Sequence, residues 1–316
     1  MAQGGKLQDK LIVLFGGSGF LGNYVAQSLI DRGARLRIAS RHPEDAFSLK
    51  PLANLGQLQF ARCDLLNEQS VERCLAGAHG VVNMVGAFGG SMELLMGDAA
   101  GRLAAKAKEA GARSFVQISA LAADPNGEAE YARAKAKGER LIRDAFPEAT
   151  ILRPPVLFGK DDEFVNMFAG LISTFPVLPV FAPDAKLQLL YVDDAAEAVT
   201  VALADAEVHG GNTYEIAGPK AVTMMELNRM IAAAQRRDRH FIPLPDSVSK
   251  LFAMMPGTPM STDQWLMLKD GDVPSGAHPG IEKLGIEPRP LDLFLDKWMV
   301  RYRKHGRFSE KGDYAL

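Results

Sequence analysis

Gly16, Gly19 and Gly22 sit between an apolar run, Leu11 to Phe15, and an amphipathic stretch that ends at Gly33; no other feature restricts the fold as much. In Gly16-Gly17-Ser18-Gly19-Phe20-Leu21-Gly22, the first glycine permits a tight strand-to-helix turn. The second lets backbone approach a ligand, and the third lets the helix pack closely on the sheet. Unpaired N–H groups at the positive end of a helix form a seat for a pyrophosphate. Leu21, Val25, Leu29 and Ile30 recur at helical spacing behind this loop. The spacing therefore predicts a dinucleotide site in which Gly16, Ser18, Gly19, Phe20, Leu21 and Gly22 surround the phosphates.

The second strand bears on which dinucleotide. Residues 35–41 end in Ser40-Arg41, where a carboxylate would be needed to bond the hydroxyls of an adenosine ribose. Arg41 is either a solvated loop residue or the partner of a 2′-phosphate. The second role is worth roughly 1.5–3 kcal/mol, about one to two decades of preference for NADP(H) over NAD(H). Asp64-Leu65 closes the third strand, available either to the adenine or to cap the next helix. Val85 and Gly86, at the end of the fourth, join the expected cofactor set, which also takes in Ser119, Tyr131, Lys135 and Pro154.

Strand patterns at 11–15, 35–40, 58–63, 80–86, 114–119 and 149–153 alternate with helical patterns at 20–32, 67–76, 91–110 and 128–145. This is the signature of an α/β, Rossmann-type doubly wound parallel sheet. The later chain is less regular. Residues 187–191 read as a strand entering a helix capped by Asp193 or Asp194, 212–217 as another strand, and Thr223 to Glu226 as a capping box. Eight prolines between 239 and 290 predict short helices and loops. The expected domains are 1–155, with 187–206 returning to it; a smaller C-terminal α+β substrate or partner lobe of 156–186 and 207–300; and a basic tail, 301–316.

Lys and Arg number 36 against 38 Asp and Glu, a net charge of −2 that gives no reason to expect nucleic acid. Cys63, Cys74 and six scattered histidines lack metal-ligand spacing, so no metal is expected. No apolar segment of signal-peptide or membrane-spanning length occurs, which predicts a cytoplasmic protein.

Tyr131 and Lys135 lie four residues apart in a strong helix former and share one face. In a hydride-transfer site such a tyrosine exchanges a proton with the substrate oxygen, and the ammonium lowers its pKa and reaches the nicotinamide ribose. With Gly16-x-x-Gly19-x-x-Gly22, Leu152-Arg153-Pro154-Pro155 and Tyr191-Val192-Asp193-Asp194, this pair resembles the extended, or atypical, short-chain dehydrogenases over some 190 residues. The resemblance implies a Rossmann domain carrying NAD(P), a smaller lobe for substrate, and Pro154 near the nicotinamide. The family's catalytic serine aligns with Ala120, which has no hydroxyl. Ser119 is the neighbouring candidate, serving both catalysis and cofactor. Loss of such a donor costs about two to three decades in rate.

Ala122 to Asn126, Phe146 to Pro154, Phe158 to Phe168 and Pro256 to Gln264 are similar to the nucleotide-binding accessory subunit of respiratory complex I, alpha-subcomplex subunit nine, and its bacterial homologues. That resemblance implies a tightly held NADPH of structural or sensory role, and complex I subunits as partners. It places the protein peripherally on the inner face of a bacterial inner membrane. Alternatives are an active NAD(P)-dependent oxidoreductase or epimerase, and an auxiliary factor in ubiquinone biosynthesis. Leu291, Phe294, Leu295, Trp298 and Tyr302 form a helical stripe beside Lys297, Arg301, Arg303, Lys304 and Arg307. This 291–307 helix either meets an anionic membrane or a subunit, or packs on its own lobe. Met254, Met255, Met260 and Met267 are either core or an adaptable contact surface.

Overall fold

The computed structural model describes residues 5–249 and 261–304. Leu11–Phe15 (β1) opens a parallel sheet, followed by Arg35–Ser40 (β2), Leu58–Arg62 (β3), Gly80–Asn83 (β4), Ser114–Ile118 (β5) and Thr150–Arg153 (β6). Every residue of β4 and β5 is buried, as expected of parallel strands covered on both faces. Seven strands lie in the order β3-β2-β1-β4-β5-β6, with Thr213–Glu215 at the far edge. Helices Phe20–Asp31 (α1), Glu68–Leu75 (α2), Ala99–Glu109 (α3) and Glu130–Ala145 (α4) alternate with them.

Strand order reverses between β1 and β4. Phe15 is registered against Asn83, and Met84 N–H donates to the Phe15 carbonyl at 2.9 Å, so the chains that follow leave the sheet side by side. This is the switch point at which open α/β sheets hold ligands. A π-helical turn, Glu93–Asp98, leads into α3, and α4 lies tightly against this segment. A Cβ at Gly138 would overlap the Met96 carbonyl, and one at Gly101 would stand 2.6 Å from the Leu141 Cβ. These contacts fix α4, which carries Tyr131 and Lys135.

The chain divides into two compact units: Met1–Pro154 with Val192–Ile216 and Pro274–Glu287, and Pro155–Tyr191 with Ala217–Val273 and Pro288–Leu316. This departs from the expected division in three places. Residues 207–216 belong with the sheet, because Thr213–Glu215 pairs in parallel with β6. Residues 274–287 join them through Glu215, whose buried carboxylate accepts from the Ser275 hydroxyl at 2.6 Å and from Gly276 N–H at 2.9 Å. Residues 187–191 lie instead in the second unit, as two short strands: Lys186–Leu187 pairs with Val222–Thr223 and Leu190–Tyr191 with Leu157–Phe158. The helix after them starts at Val192, so Asp193 and Asp194 occupy its first turn and not its cap.

In the second unit the Thr223 capping box forms as the sequence suggested: Glu226 N–H donates to Thr223 Oγ1 at 3.1 Å and Thr223 N–H to Glu226 Oε2 at 2.7 Å. The expected 291–307 helix is α-helical over Asp292–Trp298 and tightens to a 3₁₀ turn at Met299–Tyr302; Arg307 and the tail 305–316 lie outside the described residues. Leu291, Leu295 and Met299 are buried, while Arg301 and Arg303 donate to the carbonyls of Lys160 and Ala234. Its stripe thus packs on its own unit. Met254, Met255 and Met260 also lie outside the described residues; Met267 is half-buried in Thr262–Asp270.

Asp272 ties this unit together. Its carboxylate accepts from Val156 N–H at 2.5 Å, and its backbone N–H and C=O bond to Lys186 O and Gln188 N. Burial pushes its carboxyl up to about 6. A folded pKa above the unfolded one means that the native state holds more protons, so this group's stabilisation is fully present in acid and is lost as pH rises towards 6. Asp272→Asn is therefore expected to gain stability relative to wild type as pH rises from about 4 to 6, measured by denaturant midpoints across that range. A constant difference would contradict the assignment.

Candidate functional site

The glycine loop has the geometry its sequence requires. Gly16 adopts φ +76° and lies against the β4 exit, where a Cβ would be 3.2 Å from the Met84 carbonyl carbon and the Val85 nitrogen. A Cβ on Gly22 would come within 2.6 Å of Gly17 backbone, so this glycine is needed where α1 meets its own turn and not where it meets the sheet. Gly17 is constrained too: its Cβ would sit 2.8 Å from that of Leu14. Only Gly19 is open, with Gly16 O at 3.4 Å as its nearest neighbour.

α1 starts from Gly19 with no side-chain cap and no acidic residue in its first turn, leaving the backbone donors around Phe20, Leu21 and Gly22 to an anion. Asn23 reinforces the loop from below, donating to the carbonyls of Ser18 and Gly19. Its own Oδ1 is buried without a partner among the described residues. An uncapped positive helix end, a glycine face with room and no opposing carboxylate fit a pyrophosphate. When bound, a nicotinamide dinucleotide would supply hydride chemistry; these residues would hold its phosphates.

At the end of β2, Ser40 Oγ lies 2.6 Å from Ser18 Oγ, linking the phosphate loop to the strand that carries Arg41. Arg41 is exposed and forms no ion pair with a described residue. Arg62, also exposed, is registered against Ser40, so a second cation borders this edge; nothing in the glycine pattern pointed to it. Leu65 is buried and Asp64 exposed. Asp64 does not cap α2: its carboxylate accepts from Leu66 N–H, and Asn67 caps the helix by accepting from Ser70 N–H at 3.1 Å.

Beyond the sheet's carboxyl edge, Lys135 is buried and donates from Nζ to the Ile118 carbonyl at 3.1 Å. Burial lowers its ammonium to about 8, against the opposing pull of Glu139 one turn on. Its Nζ is 5.5 Å from the centre of the Tyr131 ring, and a Cβ on Gly86 would lie 3.9 Å from it. Val85 N–H donates to Asn83 Oδ1 at 3.2 Å, and buried Pro154 accepts from Leu121 N–H at 3.1 Å. Gly86, Tyr131 and Lys135 are thus brought together. The remaining candidate is not part of that group: Ser119, expected as a substrate-orienting hydroxyl, donates its one proton to Glu139 at 2.6 Å. Glu139 is buried and also receives a bidentate pair from Arg153 at 2.8 and 2.7 Å, and Arg143 at 3.2 Å. A hydrogen bond from a hydroxyl to a buried carboxylate is worth about 1.5–3 kcal/mol, so the Ser119 proton is held by Glu139. Ala120 is buried and offers no hydroxyl. No cluster of three metal-ligating side chains occurs among the described residues.

The parallel sheet and its glycine loop define an NAD(P)-binding protein of Rossmann-type fold. Residues 16–168 match a family model described as NAD(P)H-binding. The chain is 31% identical over 312 residues to mouse NADH dehydrogenase (ubiquinone) 1 alpha subcomplex subunit 9, mitochondrial, covering 94% of this chain and 82% of that protein. It belongs to that family. A ceramide reductase of Caulobacter vibrioides is 30% identical over 75% of this chain and 74% of its own length. Among solved structures, Citrobacter sp. triphenylmethane reductase complexed with NADP(H) superposes with TM-score 0.74 at 18% identity, covering 91% and 99% of the two chains.

Two substitutions separate packing from binding in the loop. Gly22→Ala is expected to destabilise the fold by roughly 1–3 kcal/mol through the forced contact with Gly17. Gly19→Val is expected to keep the fold and lose dinucleotide binding, since its side chain enters the open face. Denaturant unfolding and a cofactor titration on each variant read the two effects; a Gly22→Ala protein of wild-type stability would contradict the packing.

Proposed function

We propose that this protein holds NADP(H) as a structural or sensory cofactor and serves as an accessory subunit of respiratory complex I. The observation that carries the partner is the identity of 31% to the mouse subunit along nearly the whole chain. Support for NADP(H) comes from Arg41, exposed at the end of β2 with Arg62 beside the same strand, where a ribose-binding carboxylate is lacking. Support for a non-catalytic cofactor comes from Ser119, whose proton is bound to Glu139, and from Ala120 next to it.

A second reading, an active NAD(P)-dependent reductase, is favoured by one observation. Lys135 is buried beside Tyr131 with its ammonium lowered to about 8, a placement that serves proton transfer better than folding. The described helices include none long and apolar enough to cross a membrane, so an association with respiratory membranes would rest on protein partners or surface contact.

Affinity capture of the tagged protein from detergent-solubilised membranes tests the partner: complex I subunits in the eluate are expected, and their consistent absence would remove the accessory role. For the cofactor, Arg41→Ala is expected to weaken NADPH by about one to two decades while leaving NADH nearly unchanged, by titration. Equal losses for both would remove the 2′-phosphate contact.

A further inference from the structure

Phe88 follows β4, two residues beyond Gly86, where a Cβ would lie 3.9 Å from Lys135 Nζ. Its ring is stacked on Tyr131, with centroids 4.6 Å apart and planes 15° from parallel, yet the residue is 56% exposed. Gly86 precedes it, and Gly89 and Gly90 follow with φ of +135° and +67°, conformations that other residues rarely adopt. A Cβ on either Gly89 or Gly90 would meet nothing within 4 Å, so the chain beyond Phe88 is unpacked on that side. A large apolar ring is thus left half in water, held to one partner and joined to the sheet through glycines.

We propose that Phe88 is a gate over Tyr131, whose uncovered ring takes planar, uncharged aromatic or quinoid rings. Such a ring takes over the stack as Phe88 swings out, exchanging one aromatic contact for another. A saturated molecule of the same size uncovers Tyr131 without replacing the stack, and a charged one adds a desolvation cost. The gate rests on the reading of Tyr131 and Lys135 as the hydride end of the site; it requires no choice between a resting cofactor and a working one.

The test uses the full chain labelled with fluorotyrosine, with the Tyr131 fluorine resonance assigned by its loss in Tyr131→Phe. Oxidised NADP is present, so no turnover occurs. Duroquinone is titrated against its saturated tetramethylcyclohexanedione counterpart. Duroquinone is expected to shift the Tyr131 resonance and to bind roughly two- to tenfold tighter than the saturated compound, the range one aromatic pair supplies. Phe88→Ala is expected to move the resonance without any probe and to bind duroquinone tighter, since nothing must be displaced; Phe88→Trp, with a larger ring to displace, is expected to bind it more weakly. An unmoved resonance in Phe88→Ala, equal binding of both probes, or one affinity across the three proteins would overturn the gate. Failure of the cofactor reading is separate: it would show as no NADP binding in a parallel titration, while the effect of Phe88→Ala on Tyr131 needs no nucleotide.

Discussion

Everything at the candidate site depends on how closely α1 approaches the turn that launches it. Gly22 and Gly17 come together at a distance that excludes any side chain, and this pulls the helix end over the carboxyl edge of β1. Gly16, in a left-handed conformation, directs the turn against the β4 exit. Without the close approach the first-turn amides would point into solvent; with it, they converge where the strand order reverses. The seat for an anion there is made by backbone, with no charged side chain needed to form it.

The other end of the site is governed by burial. Lys135 and Glu139 lie one helical turn apart, both nearly excluded from water, yet they bond to different partners. The lysine faces a carbonyl at the end of β5 and sits near Tyr131, while the glutamate is surrounded by Arg153, Arg143 and Ser119. Tyr131, Lys135 and Glu139 recur at four-residue spacing on one face of α4, so the change of role runs along the helix, and Ser119 is bonded at its Glu139 end. Tyr131 and Lys135 are thus left beside each other while the Ser119 hydroxyl is bonded to Glu139.

The first half of the chain was legible because its signals are local. The glycine spacing and the continuous apolar run of β1 declare themselves within a few residues, as does the Thr223–Glu226 box later in the chain. What the sequence hid are contacts between distant residues. Glu215 and Ser275 lie sixty residues apart, and the bonds of Glu215 to Ser275, Gly276 and Pro279 hold 274–287 against the sheet. Asp272 reaches Val156 over 116 residues and bonds Lys186 and Gln188 through its backbone. Ser119 was named from its place beside Ala120, but its bond to Glu139 depends on the packing of α4, which no spacing reveals. Phe88 carried no motif, and only its stack on Tyr131 draws notice to it.

The most direct test is to identify the nucleotide that co-purifies with the protein, by mass and fluorescence, and then to follow it after addition of free NADPH, quinones and carbonyl compounds. The account requires NADPH at close to one per chain that neither exchanges readily nor oxidises. Rapid exchange with substrate-dependent oxidation would make the protein a working reductase, and a protein that neither carries nor takes up nucleotide would contradict the reading of the glycine loop.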